Sequence, residues 1–186
     1  ISGKTLTING AGQIKVRANQ GGNINYLAAP IVEHTFTVAK ASQIITFNPI
    51  ETKTFGDAPF KLNAVTSSNL TVKYTLISGP ATISGITLSL TGPGSITIKA
   101  YHEGSSNYNP AEPVEQSFCV NPVKPVISIN GALLTSSSEN GNQWYLNGQA
   151  IEGATEKTLT ATENGEYSVR TSINNCLSDA SEPTQV

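Results

Sequence analysis

The 186-residue chain predicts an all-β protein of tandem antiparallel β-sandwiches, and three observations carry that expectation. Residues 1–38 recur at 83–120 without a gap, with 17 of the 38 paired positions identical; self-similarity at a fixed long period marks tandem modules. Within each copy apolar and polar residues alternate, the period of a strand with one buried face. Gly, Ser, Thr, Asn and β-branched residues are abundant while charged residues make up only 13%, a composition suited to short strands and tight turns. No segment carries a competing helical period.

The offset between the copies sets the organisation. A complete unit spans 39–120, residues 1–38 match the C-terminal part of an incomplete repeat, and 121–186 form a smaller, differently patterned module. The first copy lacks an equivalent of Ala39 to Thr82. Its strands are therefore expected to lean on other sequence, on the next module or on another chain.

Each element then follows from pattern. Leu6 and Ile8, matched by Leu88 and Leu90, predict a strand. Gly10 and Gly12, matched by Gly92 and Gly94, predict a hairpin turn, where positive φ costs glycine nothing. The next strand points Ile14, Val16 and Ala18 inward, as Ile96, Ile98 and Ala100 do in the second copy. A long Gly-containing loop bearing Asn25-Tyr26, or Asn107-Tyr108, leads to the last strand, with Val32, Phe36 and Val38 or Val114, Phe118 and Val120 on one face. His34 and Gln116 share that face and are expected near an edge, within reach of water. In the half present once, 43–47, 60–66 and 71–77 read as strands, and Gly56, Asp57 and Pro59 give 54–59 turn chemistry. Short strands at this spacing argue for sandwiches of immunoglobulin type.

After Val120, two prolines within Asn121 to Pro125 make a short, stiff connector. In the last module, strand neighbours Trp144 and Tyr145 must face opposite sides, so Trp144 is expected in the core and Tyr145 more exposed. Asn164-Gly165-Glu166-Tyr167 resembles the tyrosine corner of immunoglobulin domains, with the Tyr167 hydroxyl bonding back to the preceding turn. Val169 stands where antibody domains carry a cysteine.

Charge and composition exclude several functions. A net charge of −2, with no run of Lys or Arg, gives no footprint for nucleic acid or anionic membrane. No apolar run approaches the roughly 18 residues of a membrane-inserted span. The two histidines, His34 and His102, are matched by Gln116 and Gln20 in the other copy; the only aspartates are Asp57 and Asp179. No carboxylate pair or Gly-rich phosphate loop stands out. The expectation is no catalytic residue, no metal, no cofactor, and no enzyme. Asn69-Leu70-Thr71 fits a glycosylation acceptor and reads as chance. The chain contains no Met, which reads as processing or excision.

The runs Phe55 to Phe60 (FGDAPF), Ser78 to Pro80 (SGP) and Asn107 to Ala111 (NYNPA) resemble immunoglobulin-like repeats of large secreted and cell-surface, adhesin-like proteins of Bacteroidota. Gln143 to Thr155 is similar to a small module that follows such arrays, often near type IX secretion sorting domains. The resemblance implies a secreted or cell-surface setting, an extended array, neighbouring modules of the same longer chain as partners, and stalk duty without catalysis. Strand parity puts Cys119 on the outward face, where the first copy has Thr37, and Cys176 falls in the turn region after a strand ending near Ser172. In the implied setting the two pair as a disulfide across the module junction; the alternative is two free thiols in a reducing compartment. The rival function is binding of a glycan or protein through Tyr26, Tyr108 or Tyr145, since aromatic rings stack on sugars. Against it, a tyrosine such as Tyr26 or Tyr108 more often plugs the end of its own sandwich while the neighbouring Asn bonds loop backbone.

Overall fold

The computed structural model describes residues 4–186, and among them 19 short strands and no helix. The chain forms two compact units.

One unit comprises the described residues up to Thr46 with Val65–Val72 and Tyr101–Pro113. Its longest element is the antiparallel pair Gly12–Ala18 and Val32–Val38, in register from Gly12 opposite Val38 to Ala18 opposite Val32. Glu33 lies opposite Arg17, whose Nε and Nη2 donate to Glu33 Oε1 at 3.0 and 2.8 Å, while Lys15 Nζ sits 2.5 Å from Oε2. Lys15 first, then Arg17, hold the Glu33 carboxyl below its ordinary value. Ile45–Thr46 pairs with Val65–Thr66, a shorter strand than expected over 43–47. The expected strand at Leu6 and Ile8 is not formed, and both residues are exposed. Its counterpart Thr87–Leu90 is held between Phe60–Lys61 and Ala81–Ser84; Leu6 and Ile8 have no such pair of neighbours among the described residues.

The other unit comprises Phe47–Ala64, Lys73–Ala100 and Val114–Val186. One sheet runs Lys53–Thr54, Val114–Asn121, Gly94–Tyr101, Lys73–Ser78; a second runs Phe60–Lys61, Thr87–Leu90, Ala81–Ser84. They face each other, with the Phe60 and Phe118 rings edge to face at 6.1 Å. Along Gly94–Tyr101 every second residue is buried, and Ile96, Ile98 and Ala100 are completely so. Each such isoleucine contributes about 2–3 kcal/mol of burial. The pair Gly94 opposite Val120 through Ala100 opposite Val114 repeats the first copy's register residue for residue. Gln116 is half-buried, and its Nε2 donates to the Phe47 carbonyl at 2.7 Å.

Three expectations are corrected here. Gly92 to Gly94 make no hairpin, because the strand before them belongs to one sheet and the strand after them to the other. Leu88 and Ile96 thus reach the core from opposite layers. The strand expected over 60–66 divides into Phe60–Lys61 and Val65–Thr66, which pair with different strands. Alternation of inward side chains continues through Leu62, yet the Ala64 N–H donates to the Tyr74 hydroxyl at 2.8 Å instead of a neighbouring strand. Thr54, read as the start of a turn, ends the short strand Lys53–Thr54, which runs parallel to Val120–Asn121.

The C-terminal part of this unit has two further sheets. Ile127–Asn130, Leu133–Ser136 and Thr158–Thr160 form one; Gln149–Ala150, Asn142–Leu146, Glu166–Ile173 and Cys176–Leu177 form the other, with Thr184–Gln185 also along Glu166–Ile173. Leu134, Trp144, Tyr167 and Val169 are the core between them. Trp144 is fully buried opposite Val169, and its Nε1 donates to the Glu156 carbonyl at 2.9 Å. Tyr145, facing the other way, is half-buried. The Tyr167 hydroxyl donates to the Glu163 carbonyl at 2.9 Å, closing the corner.

Candidate functional site

Two features stand apart from the packing of strands: a loop built twice, and a covalent link. The loop joins the long strands of each copy, and its fold is the same in both. In the first copy Gln20 Oε1 accepts the Gly22 N–H at 2.9 Å; in the second His102 Nδ1 accepts the Gly104 N–H at 2.9 Å. Asn23 Oδ1 accepts from the Asn25 and Tyr26 amides, and Ser105 Oγ accepts from the Asn107 and Tyr108 amides. Backbone bonds match as well: Ala29 N–H to Gln20 carbonyl, and Ala111 N–H to His102 carbonyl, each at 3.0 Å. Side chains of different chemistry occupy equivalent positions because each offers an acceptor at the same point. His102, the sequence's only ring base in a complete copy, is thus engaged in loop structure, also meeting Gln43 Nε2 at 3.2 Å.

Glycine is required at one point of this loop. Gly22 and Gly104 take φ of +73° and +84°, and a Cβ there would stand 2.5 Å from the Tyr26 carbonyl oxygen or 2.6 Å from that of Tyr108. No L side chain fits.

The two tyrosines differ in surroundings. Ala41 runs parallel to Tyr108, its N–H donating to the Asn107 carbonyl and its carbonyl accepting the Asn109 N–H, both at 2.9 Å. Lys40 Nζ adds a bond to the Ser105 carbonyl at 2.7 Å. Tyr108 is half-buried as a result. Tyr26, with no such segment beside it among the described residues, is 73% exposed, and its neighbour Leu27 is 95% exposed. Asn107 does bond loop backbone, but of the preceding copy: its Oδ1 accepts the Ala11 N–H at 3.0 Å.

The covalent link is Cys119–Cys176, with the Cα atoms 5.5 Å apart. Cys119 alternates with buried Phe118 and Val120 on its strand, facing outward. Cys176 stands opposite Ile173 across the two-residue turn Asn174-Asn175, both with positive φ, the geometry of a type I′ hairpin. That turn lies against the connection before Gly94–Tyr101, since Asn174 Nδ2 is 3.2 Å from where a Cβ on Gly94 would be. Cys176 opens the short strand Cys176–Leu177 immediately after the turn.

Among the described residues no three of His, Cys, Asp and Glu come together as metal ligands. A cleft of about 260 Å³ in the C-terminal part has Glu163 as its sole carboxylate, beside Leu146, Ile151 and Tyr167. Another, of about 280 Å³, is flanked by Lys124 and Glu182, which pair with each other. Lys124 accordingly holds the Glu182 carboxyl below its ordinary value. No family model matches this chain, and no curated protein aligned with it matches.

Proposed function

We propose that this chain is a non-catalytic spacer segment of a longer secreted or cell-surface protein, composed of immunoglobulin-like modules in series and of the Bacteroidota type that its motifs resemble. The observation that supports this reading most is the disulfide. It joins the last strand of the second copy to the C-terminal part, and structural disulfides persist in oxidising compartments. The equivalent position in the first copy is Thr37, so the thiol serves the junction and not the fold. His102, Asn23, Ser105 and Asn107 spend their polar atoms on loop geometry, and Glu33, Glu139 and Glu182 spend theirs on ion pairs. A spacer works by geometry alone, which demands side chains so occupied.

Surface display tests the reading. An epitope placed ahead of residue 1, with an anchor after residue 186, should remain open to antibody on bacterial cells. Replacing 4–186 with unrelated β-sandwich modules of equal length should preserve that access. Loss of access in the replacement would refute the spacer reading. The exposed ring of Tyr26 favours one rival, a glycan-binding role; saturable binding on a glycan array, abolished by Tyr26→Ala, would replace the spacer by that role.

A further inference from the structure

The second copy shows what covers a hairpin that the first copy leaves bare. Around the pair Gly94–Tyr101 and Val114–Asn121, Lys73–Ser78 closes one edge and Lys53–Thr54 the other. Phe60 packs edge to face on Phe118. Ala41 runs beside Tyr108 and bonds the backbone on both sides of it. These four elements all lie within 39–82.

The first copy has the same hairpin in the same register, with Phe36, Val38 and Tyr26 in place of Phe118, Val120 and Tyr108. Among the described residues it stands as a two-stranded sheet with no strand on either edge. Ile14 and Val16 are only half-buried, whereas their counterparts Ile96 and Ile98 are fully buried. Val32 is 65% exposed. Open edges and a bare apolar face on one hairpin are what strand addition consumes.

We propose that the first-copy hairpin and its Tyr26 loop are an acceptor surface for a polypeptide segment of the sequence pattern Ala39 to Thr82. Such a segment adds a strand to each open edge and sets a phenylalanine ring on Phe36. Its leading residues run beside Tyr26 as Lys40 and Ala41 run beside Tyr108. The occupant is specified by the second copy, where one continuous segment supplies both edge strands, the ring on Phe118 and the backbone beside Tyr108. Nothing in this depends on the spacer reading.

Residue-resolved amide hydrogen exchange tests it in two formats. In one, residues 39–82 are joined ahead of residue 1, as Thr82 is joined to Ile83. In the other, a 39–82 peptide is added to the native chain. The amides of Gly12–Ala18 and Val32–Val38 should slow, about tenfold with peptide at ten times its dissociation constant. Phe36→Asp should remove the slowing while Gly94–Tyr101 stays protected, showing that the variant is folded. Unchanged hairpin exchange in the joined chain would overturn the proposal. So would protection that appears in the native chain alone as its concentration and sedimentation coefficient rise, because the surface would then belong to a second copy.

Discussion

Reduction of Cys119–Cys176 isolates the contribution of one covalent bond. The sulfurs are 57 residues apart in sequence, and closing a loop of that length removes about 4 kcal/mol of entropy from the unfolded chain. The loop runs through most of the C-terminal part, so its core around Trp144 and Val169 should lose that stability, while the sheets holding Ile96 and Phe118 lose little. For a segment this small, each kcal/mol shifts the melting midpoint by roughly 4–8 °C; the expected drop is therefore at least about 15 °C. Calorimetry with and without reductant measures it, with thiol titration to verify that both sulfurs are free. The variant Cys119→Thr with Cys176→Ala should reproduce the effect, since Thr37 already occupies the first position in the other copy and Cys176 is 1% exposed. A fully reduced chain whose midpoint moves by less than about 3 °C would refute the loop-entropy argument.

Other outcomes follow from the same contacts. Trp144→Ala leaves a cavity among Leu134, Tyr167 and Val169 and strands the Glu156 carbonyl; a loss of about 3–5 kcal/mol is expected in denaturant titration. Gly104→Ala places a Cβ against the Tyr108 carbonyl at 2.6 Å with φ at +84°; it should cost more than about 1 kcal/mol, with the loop amides from Ser105 to Asn109 exchanging faster by NMR. Glu33 is ionised more readily in the folded chain than its ordinary value of 4.5. Its pairing with Lys15 and Arg17 therefore stabilises the hairpin above the unfolded value and is lost as pH falls through the lower, folded one. A carboxyl-carbon NMR titration should show that low midpoint, and Lys15→Gln with Arg17→Gln should raise it.

Much of this architecture is legible in the chain because the repeat offset is a physical quantity. Once Ile14 is aligned with Ile96, the strand pairing of one copy dictates that of the other. Trp144 and Tyr145 separate by parity alone, and two cysteines leave one pairing once the setting is oxidising. What escapes the sequence is where the chain changes sheets. The residues 60–66 alternate as one strand would, and only the Tyr74 hydroxyl, ten residues beyond Ala64 in sequence, reveals the break. Gly92 and Gly94 look like hairpin glycines because alternation on both sides says nothing about which layer each strand joins. The loop equivalences were hidden differently. Gln20 with His102, and Asn23 with Ser105, share no chemistry beyond an acceptor, so aligning them as residues shows a mismatch where aligning them as hydrogen-bond acceptors shows a match. Their signal was present: each stands two residues before an invariant feature of the copies, Gly22 or Gly104 in one case and Asn25 or Asn107 in the other.

The sulfur bridge also sets a load path. A pull applied at the C-terminal end passes up Leu177 to Val186, enters the bridge at Cys176 and leaves through Cys119, bypassing the chain between. Those 57 residues, roughly 190 Å of contour at about 3.4 Å each, are a reserve of length that no force releases while the sulfurs stay joined, and that a reductant frees in a single step.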